Sequence, residues 1–137
     1  MTQALDQSIL ELLRASRDDE ETIYLPVNDR TFGFHAQQAV EKLLKALIGG
    51  HVQRYEFTHD LGVLIRHLHA LGERLPAAAS ALEALTGYAG AWRYQEPVAL
   101  SIEQRTQTQT NIVELRKFVF ARLAVLRPAH PWNESLR

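Results

Sequence analysis

Residues 34–50, FHAQQAVEKLLKALIGG, constrain the fold of this chain more than any other stretch. At 100° per residue, Phe32, Ala36, Ala39, Val40, Leu43, Leu44, Ala46, Leu47 and Ile48 fill an apolar arc of about 200°. A helix resting on a protein surface needs only about half of that arc. This helix therefore has to sit centrally, with neighbours on two sides. Its polar remainder holds His35, Gln38, Glu41, Lys42 and Lys45, with Gln37 at the border. Glu41 and Lys45 stand in the favourable i,i+4 order. Spacing alone makes this strip a solvated face with one ion pair.

The neighbours that such a helix needs are legible along the chain. Leu5, Ile9, Leu12 and Leu13 give an amphipathic first helix, and the polar run SRDDEET ends its pattern. Pro26 and the residues NDR form a connector. The central helix is expected over 31–48, with Gly49 and Gly50 as its stop. HVQRYEF is a second connector. Thr58 is a candidate cap for a third helix, with Asp60 complementing its positive end. That helix carries the stripe Leu61, Leu64, Ile65, Leu68 and Leu71, and Gly72 and Pro76 bracket the turn after it. A fourth helix is expected over 77–92, packed through Ala78, Ala81, Leu82, Leu85, Tyr88 and Trp92. RYQEP breaks it, because Pro97 cannot continue a helix. Ser101 and Gln104 form a capping box for a long last helix reaching about Leu126. Its stripes are Ile112, Leu115, Val119, Leu123 and Leu126, and Val113, Phe120 and Ala124. No segment alternates with period two for long enough to make a strand. The expectation is an all-α bundle of five helices in one domain over 1–127, with a short flexible tail at 128–137.

Composition removes several function classes. There is no cysteine, which excludes disulfides and thiolate metal sites. The net charge is -1, so the chain as a whole is no basic nucleic-acid glove. No stretch approaches the length of a membrane span, and the first residues lack a signal-peptide pattern. A cytoplasmic protein is the expectation. The glycines match no phosphate-binding fingerprint, and the six histidines offer no HExxH pair. No metal or cofactor is expected.

Three groups of residues carry candidate chemistry. One is the polar strip Gln37, Gln38, Glu41 and Lys45. Another is Arg93 and Tyr94, where a guanidinium beside an aromatic suits phosphate binding and base stacking, or equally the closing of a helix end. The third is Arg54 with His59. A histidine can act as general base on a ribose hydroxyl, and an arginine can stabilise the phosphorane that follows. The bland reading of His59 is a helix start. Arg116 lies between the two apolar stripes of the last helix and must find water or a carboxylate. Glu41 is a candidate partner for it.

FHAQQAVEKLLKALI, then THDLGVLIRHL, then a leucine-rich helix ending in YAGAWRY, resembles the HEPN domain family. The likeness covers roughly residues 5–126. It implies a five-helix bundle, commonly a homodimer, that works on nucleotides or RNA. It also implies a minimal nucleotidyltransferase as partner protein, often within a toxin–antitoxin or defence module. Nuclease members of that family usually carry Arg-x4–6-His near the start of the last long helix. Here Arg93, Arg105 and Arg116 are followed by no histidine in range, and the match weighed as a candidate, Arg54 and His59, lies in the connector before the third helix. The resemblance is therefore to the branch that lacks the late pair. It implies a protein that binds a nucleotide, RNA or a nucleotidyltransferase through Gln38, Glu41, Lys45, His59, Arg93 and Tyr94. A metal-independent endoribonuclease with a composite site across a homodimer is the alternative, with Arg54 and His59 as its catalytic candidates. A structural dimerisation module is the third.

Overall fold

The computed structural model describes residues 2–89 and 99–132. The elements are α1 (Thr2–Thr22), α2 (Asp29–Gly50), α3 (Leu61–Ala70), α4 (Ala77–Leu82) running on into a 3-10 helix (Glu83–Tyr88), and α5 (Ile102–Leu126). Five α-helices and no strand are found among the described residues. None of these helices is long and apolar enough to cross a membrane.

The wide arc of α2 is satisfied within the chain. Phe32, Ala36, Ala39, Val40, Leu44, Leu47 and Ile48 are completely buried. Their neighbours come from α1, α3, α5 and the 3-10 helix. The helix begins at Asp29, two residues before the expected start, because Asn28 is its N-cap and accepts from the Thr31 N–H at 2.8 Å. Asp29 then ties this end to α5. One carboxylate oxygen accepts from Arg105 Nη2 at 2.7 Å and the other from the Leu100 N–H at 3.2 Å. The Arg105 hydrogen bond, aided by that of Leu100, holds the Asp29 carboxyl below its ordinary range.

Several expectations are corrected. SRDDEET does not end α1, which continues to Thr22. Its core stripe runs Ile9, Leu13, Ser16, Glu20, with Ile23 just past its end, and all five are buried. The polar members are paired rather than solvated. Ser16 Oγ donates to the Ala39 carbonyl at 2.8 Å, and Glu20 accepts from Arg116 Nε at 2.9 Å. That same contact corrects the Arg116 expectation, since its carboxylate is Glu20 and not Glu41. Asp19, next in the chain, accepts from Lys42 and bonds His35 Nδ1 at 2.8 Å.

Gly49 and Gly50 are the last two residues of α2 rather than its stop. They let other helices approach. A Cβ on Gly50 would lie 2.6 Å from Leu123 Cδ2 of α5, and one on Gly49 would lie 3.2 Å from Ile9 Cγ1 of α1. The chain turns two residues later. The Gln53 N–H reaches the Ile48 carbonyl at 3.3 Å and the Val52 N–H reaches Gly49 at 2.9 Å, a Schellman motif with Val52 at φ 59. The end of α3 repeats the motif with Gly72, at φ 91.

Thr58 is not the cap of α3. Asp60 is, accepting from the Gly62 N–H at 2.9 Å, while Thr58 Oγ1 accepts from the Asp60 N–H at 3.0 Å. The fourth helix is shorter than expected, with six α-helical residues before the 3-10 turn, and Ala81 faces solvent. In α5 the capping box forms as expected, but Ala124 is exposed. In the segment set apart as a tail after residue 127, residues 128, 129 and 131 are exposed and Trp132 is buried. That side chain joins the core at 2% exposure and donates from Nε1 to the Arg127 carbonyl at 3.1 Å.

Candidate functional site

The polar strip of α2 does not face water. Gln37, Glu41 and Lys45 succeed one another at i, i+4 and i+8, and all three are buried. The 51–60 connector lies over them. Gln37 Nε2 donates to Glu41 Oε1 at 3.0 Å and to the His59 carbonyl at 2.9 Å. Gln37 Oε1 accepts from Gln38 Nε2 at 2.7 Å. Lys45 Nζ donates to Glu41 Oε2 at 3.0 Å and lies 5.1 Å from the centre of the Tyr55 ring. His59 Nδ1 meets Glu41 Oε1 at 2.7 Å. Glu41 is therefore the hub of the network.

Burial alone would push the Glu41 carboxyl up. Hydrogen bonds from Gln37, His59 and Lys45 together outweigh that, and it lies below the ordinary carboxylate range. An ionised Glu41 can only accept, so the His59 nitrogen facing it must carry a proton. In the neutral imidazole this leaves Nε2 as a bare lone pair. The His59 side chain is 59% exposed, against 6% for the Glu41 side chain behind it. A carboxylate thus fixes the ring, and the free nitrogen is open to a ligand.

Four of the six residues expected to bind a nucleotide, Gln38, Glu41, Lys45 and His59, belong to this one network. Only His59 presents most of its surface to solvent, and the others hold it. Arg93 and Tyr94 lie outside the described residues, as does Trp92. Arg54 is exposed and lines a groove of about 530 Å3 with Tyr55, Phe57, Gln53, Gly49 and the α1 residues Leu5, Ser8, Ile9 and Leu12. His59 is not among the residues lining that groove. Sequence reasoning placed Gln37 in the candidate strip without counting it among the ligand-binding residues, and it passed over Tyr55 and Phe57 as connector. The i,i+4 spacing of Gln37 and Glu41 was the available signal. Among the described residues no three His, Asp or Glu side chains come together as a metal-ligating group.

Residues 27–119 match the family model described as HEPN domain. No curated protein matches the chain, and no solved structure does.

Proposed function

The chain belongs to the HEPN domain family, whose members have nucleotide- or RNA-related roles and commonly dimerise, and we propose that it binds a nucleotide or RNA at the surface built around His59. It does so as a homodimer, with a minimal nucleotidyltransferase as its protein partner in a toxin–antitoxin or defence module. The observation that supports this reading is the carboxylate-backed, solvent-facing ring of His59. A network of four side chains, three of them buried, behind one exposed imidazole is more than a helix start requires. Glu41 and Lys45 keep the ring oriented, and Nε2 takes a hydrogen bond from a ribose hydroxyl or base, or donates one to phosphate when protonated.

The same geometry supports one second reading. A neutral imidazole backed by a carboxylate is also the arrangement of a general base, so metal-independent endoribonuclease activity is the alternative. Arg54 is a poor second member for it, because it lines a groove that His59 does not. One experiment separates the two. Purified protein is titrated with labelled RNA and with mononucleotides in chelator, and the RNA is then run on a denaturing gel. Binding without cleavage, weakened at least tenfold by His59→Ala, is the expected result. Cleavage lost in both His59→Ala and Glu41→Gln would transfer the assignment to the nuclease. No binding of any RNA or nucleotide would end both readings. Co-expression with a nucleotidyltransferase encoded beside it tests the partner.

A further inference from the structure

The groove that α1 and the 51–60 connector line together has no part in the His59 surface, since His59 does not line it. Its α1 side is one face of that helix. Leu5, Ser8, Ile9 and Leu12 succeed one another at i, i+3, i+4 and i+7, and three of the four are aliphatic. From Leu5 to Leu12 this face is about 10 Å long. Gly49 lines the groove without a side chain, and the connector adds Tyr55 and Phe57. The volume, about 530 Å3, is that of a small-molecule site.

The connector is fixed here from two directions. Val52 holds the left-handed φ of 59 that turns the chain out of α2, and the Tyr55 ring stands 5.1 Å from the buried Lys45 ammonium. Phe57 is nonetheless left in water, at 106% exposure. Neither the strain at Val52 nor the exposure of Phe57 stabilises the free chain. Arg54 is the one charged residue among the described residues that line the groove, and it pairs with no carboxylate among them. Glu56, two residues on, bonds His67 at 2.7 Å and does not line the groove. The remaining polar lining residues, Ser8 and Gln53, are neutral.

We propose that this groove binds the anion of an aliphatic carboxylic acid, with Arg54 on the carboxylate and the hydrocarbon chain along Leu5, Ile9, Leu12 and Phe57. A carboxylate meets a guanidinium through two parallel hydrogen bonds and brings one charge to one cation. Its chain supplies the apolar cover that Phe57 lacks. A phosphate polyanion would find a single cation among mostly apolar side chains. Two copies joined groove to groove would bury two arginines and no carboxylate from the lining residues. The proposal goes beyond the nucleotide or RNA reading and does not depend on it.

The test is an NMR titration of nitrogen-labelled protein with octanoate, octanol and butanoate. Variants are Arg54→Gln, Phe57→Ser and Arg74→Gln, each checked for an unchanged helical signal and melting temperature. Arg74 is an exposed arginine that does not line the groove. Octanoate should shift amides within residues 5–12 and 49–57. Octanol, which keeps the chain and loses the charge, should bind about tenfold more weakly. Butanoate should be weaker than octanoate by at least about tenfold, through its missing methylenes. Arg54→Gln should lower octanoate to the affinity of octanol and leave octanol unchanged, Phe57→Ser should weaken both, and Arg74→Gln should change neither. Octanol binding as tightly as octanoate, equal losses from Arg54→Gln and Arg74→Gln, or shifts spread over the whole protein would each overturn the proposal. So would adenosine monophosphate displacing octanoate from the same amides at lower concentration, which would hand the groove to a nucleotide. Sedimentation with phosphatidylglycerol vesicles, lost in Phe57→Ser, would make the occupant a membrane instead. No shift at millimolar octanoate would remove the site and leave the His59 reading standing.

Discussion

Val52 and Gly72 occupy equivalent places, the left-handed residue after a helix, yet only one is glycine. For a β-branched side chain that conformation costs about 1–2 kcal/mol, whereas glycine adopts it freely. Val52 is 66% exposed, so little packing offsets the strain. Val52→Gly is expected to raise stability by about 1 kcal/mol in a urea titration, and a loss would show that Val52 makes contacts in solution that repay its strain. Glu41 makes a second residue-scale prediction. Its folded pKa is lowered from the ordinary 4.5, so the stability it contributes is fully present above that value. That stability is lost as pH falls through the lower folded value. Wild-type stability should therefore drop more steeply below pH 4.5 than that of Glu41→Gln, and parallel acid limbs would contradict the hub role. At neutral pH Glu41→Ala should cost about 3 kcal/mol, since it leaves Lys45 buried without its carboxylate.

At the scale of elements, close helix approach is bought with missing side chains. Gly33 of α2 lies under the Tyr88 ring, and a Cβ there would stand 2.2–2.4 Å from three ring atoms. Alanine would gain up to about 1 kcal/mol of helix propensity, but overpacking of this kind costs about 1–3 kcal/mol. Gly33→Ala is thus expected to lower the melting temperature, and a rise would mean that Tyr88 swings aside freely. The existence of α2, α3 and α5 and the box at Ser101 and Gln104 were legible in the sequence, because each rests on local periodicity or capping. The second half of α1 was not. Its stripe continues through Ser16 and Glu20, whose burial depends on polar partners 23 and 96 residues away. Gly49 and Gly50 read as punctuation because nothing local announces Leu123 and Ile9. The site was half legible for the same reason. The i,i+4 strip could be seen, but its burial depends on a connector folding back over it.

Across the whole molecule, the argument for a dimer has to change its footing. The expectation from sequence was that α2 and α5 carry more apolar surface than one bundle can cover. The arc of α2 is covered completely by its own chain. Large apolar side chains are exposed elsewhere, and Ile102 and Val125 sit at opposite ends of α5, about 34 Å apart. They cannot belong to one small patch. Val52, Tyr55 and Phe57 fall close together in the 51–60 connector, which also carries His59, the residue assigned above to a nucleotide or RNA. The two uses compete, because a second copy seated on Phe57 would cover the connector that carries His59. If the homodimer common in this family forms here, it must leave that connector open. Sedimentation of wild type and Phe57→Ser at micromolar concentration decides the matter. Twice the chain mass of 15.6 kDa is expected for both proteins. A wild-type dimer that becomes a monomer on Phe57→Ser would place Phe57 in the interface and close the connector to a ligand. A wild-type monomer would remove the dimer and leave the connector free.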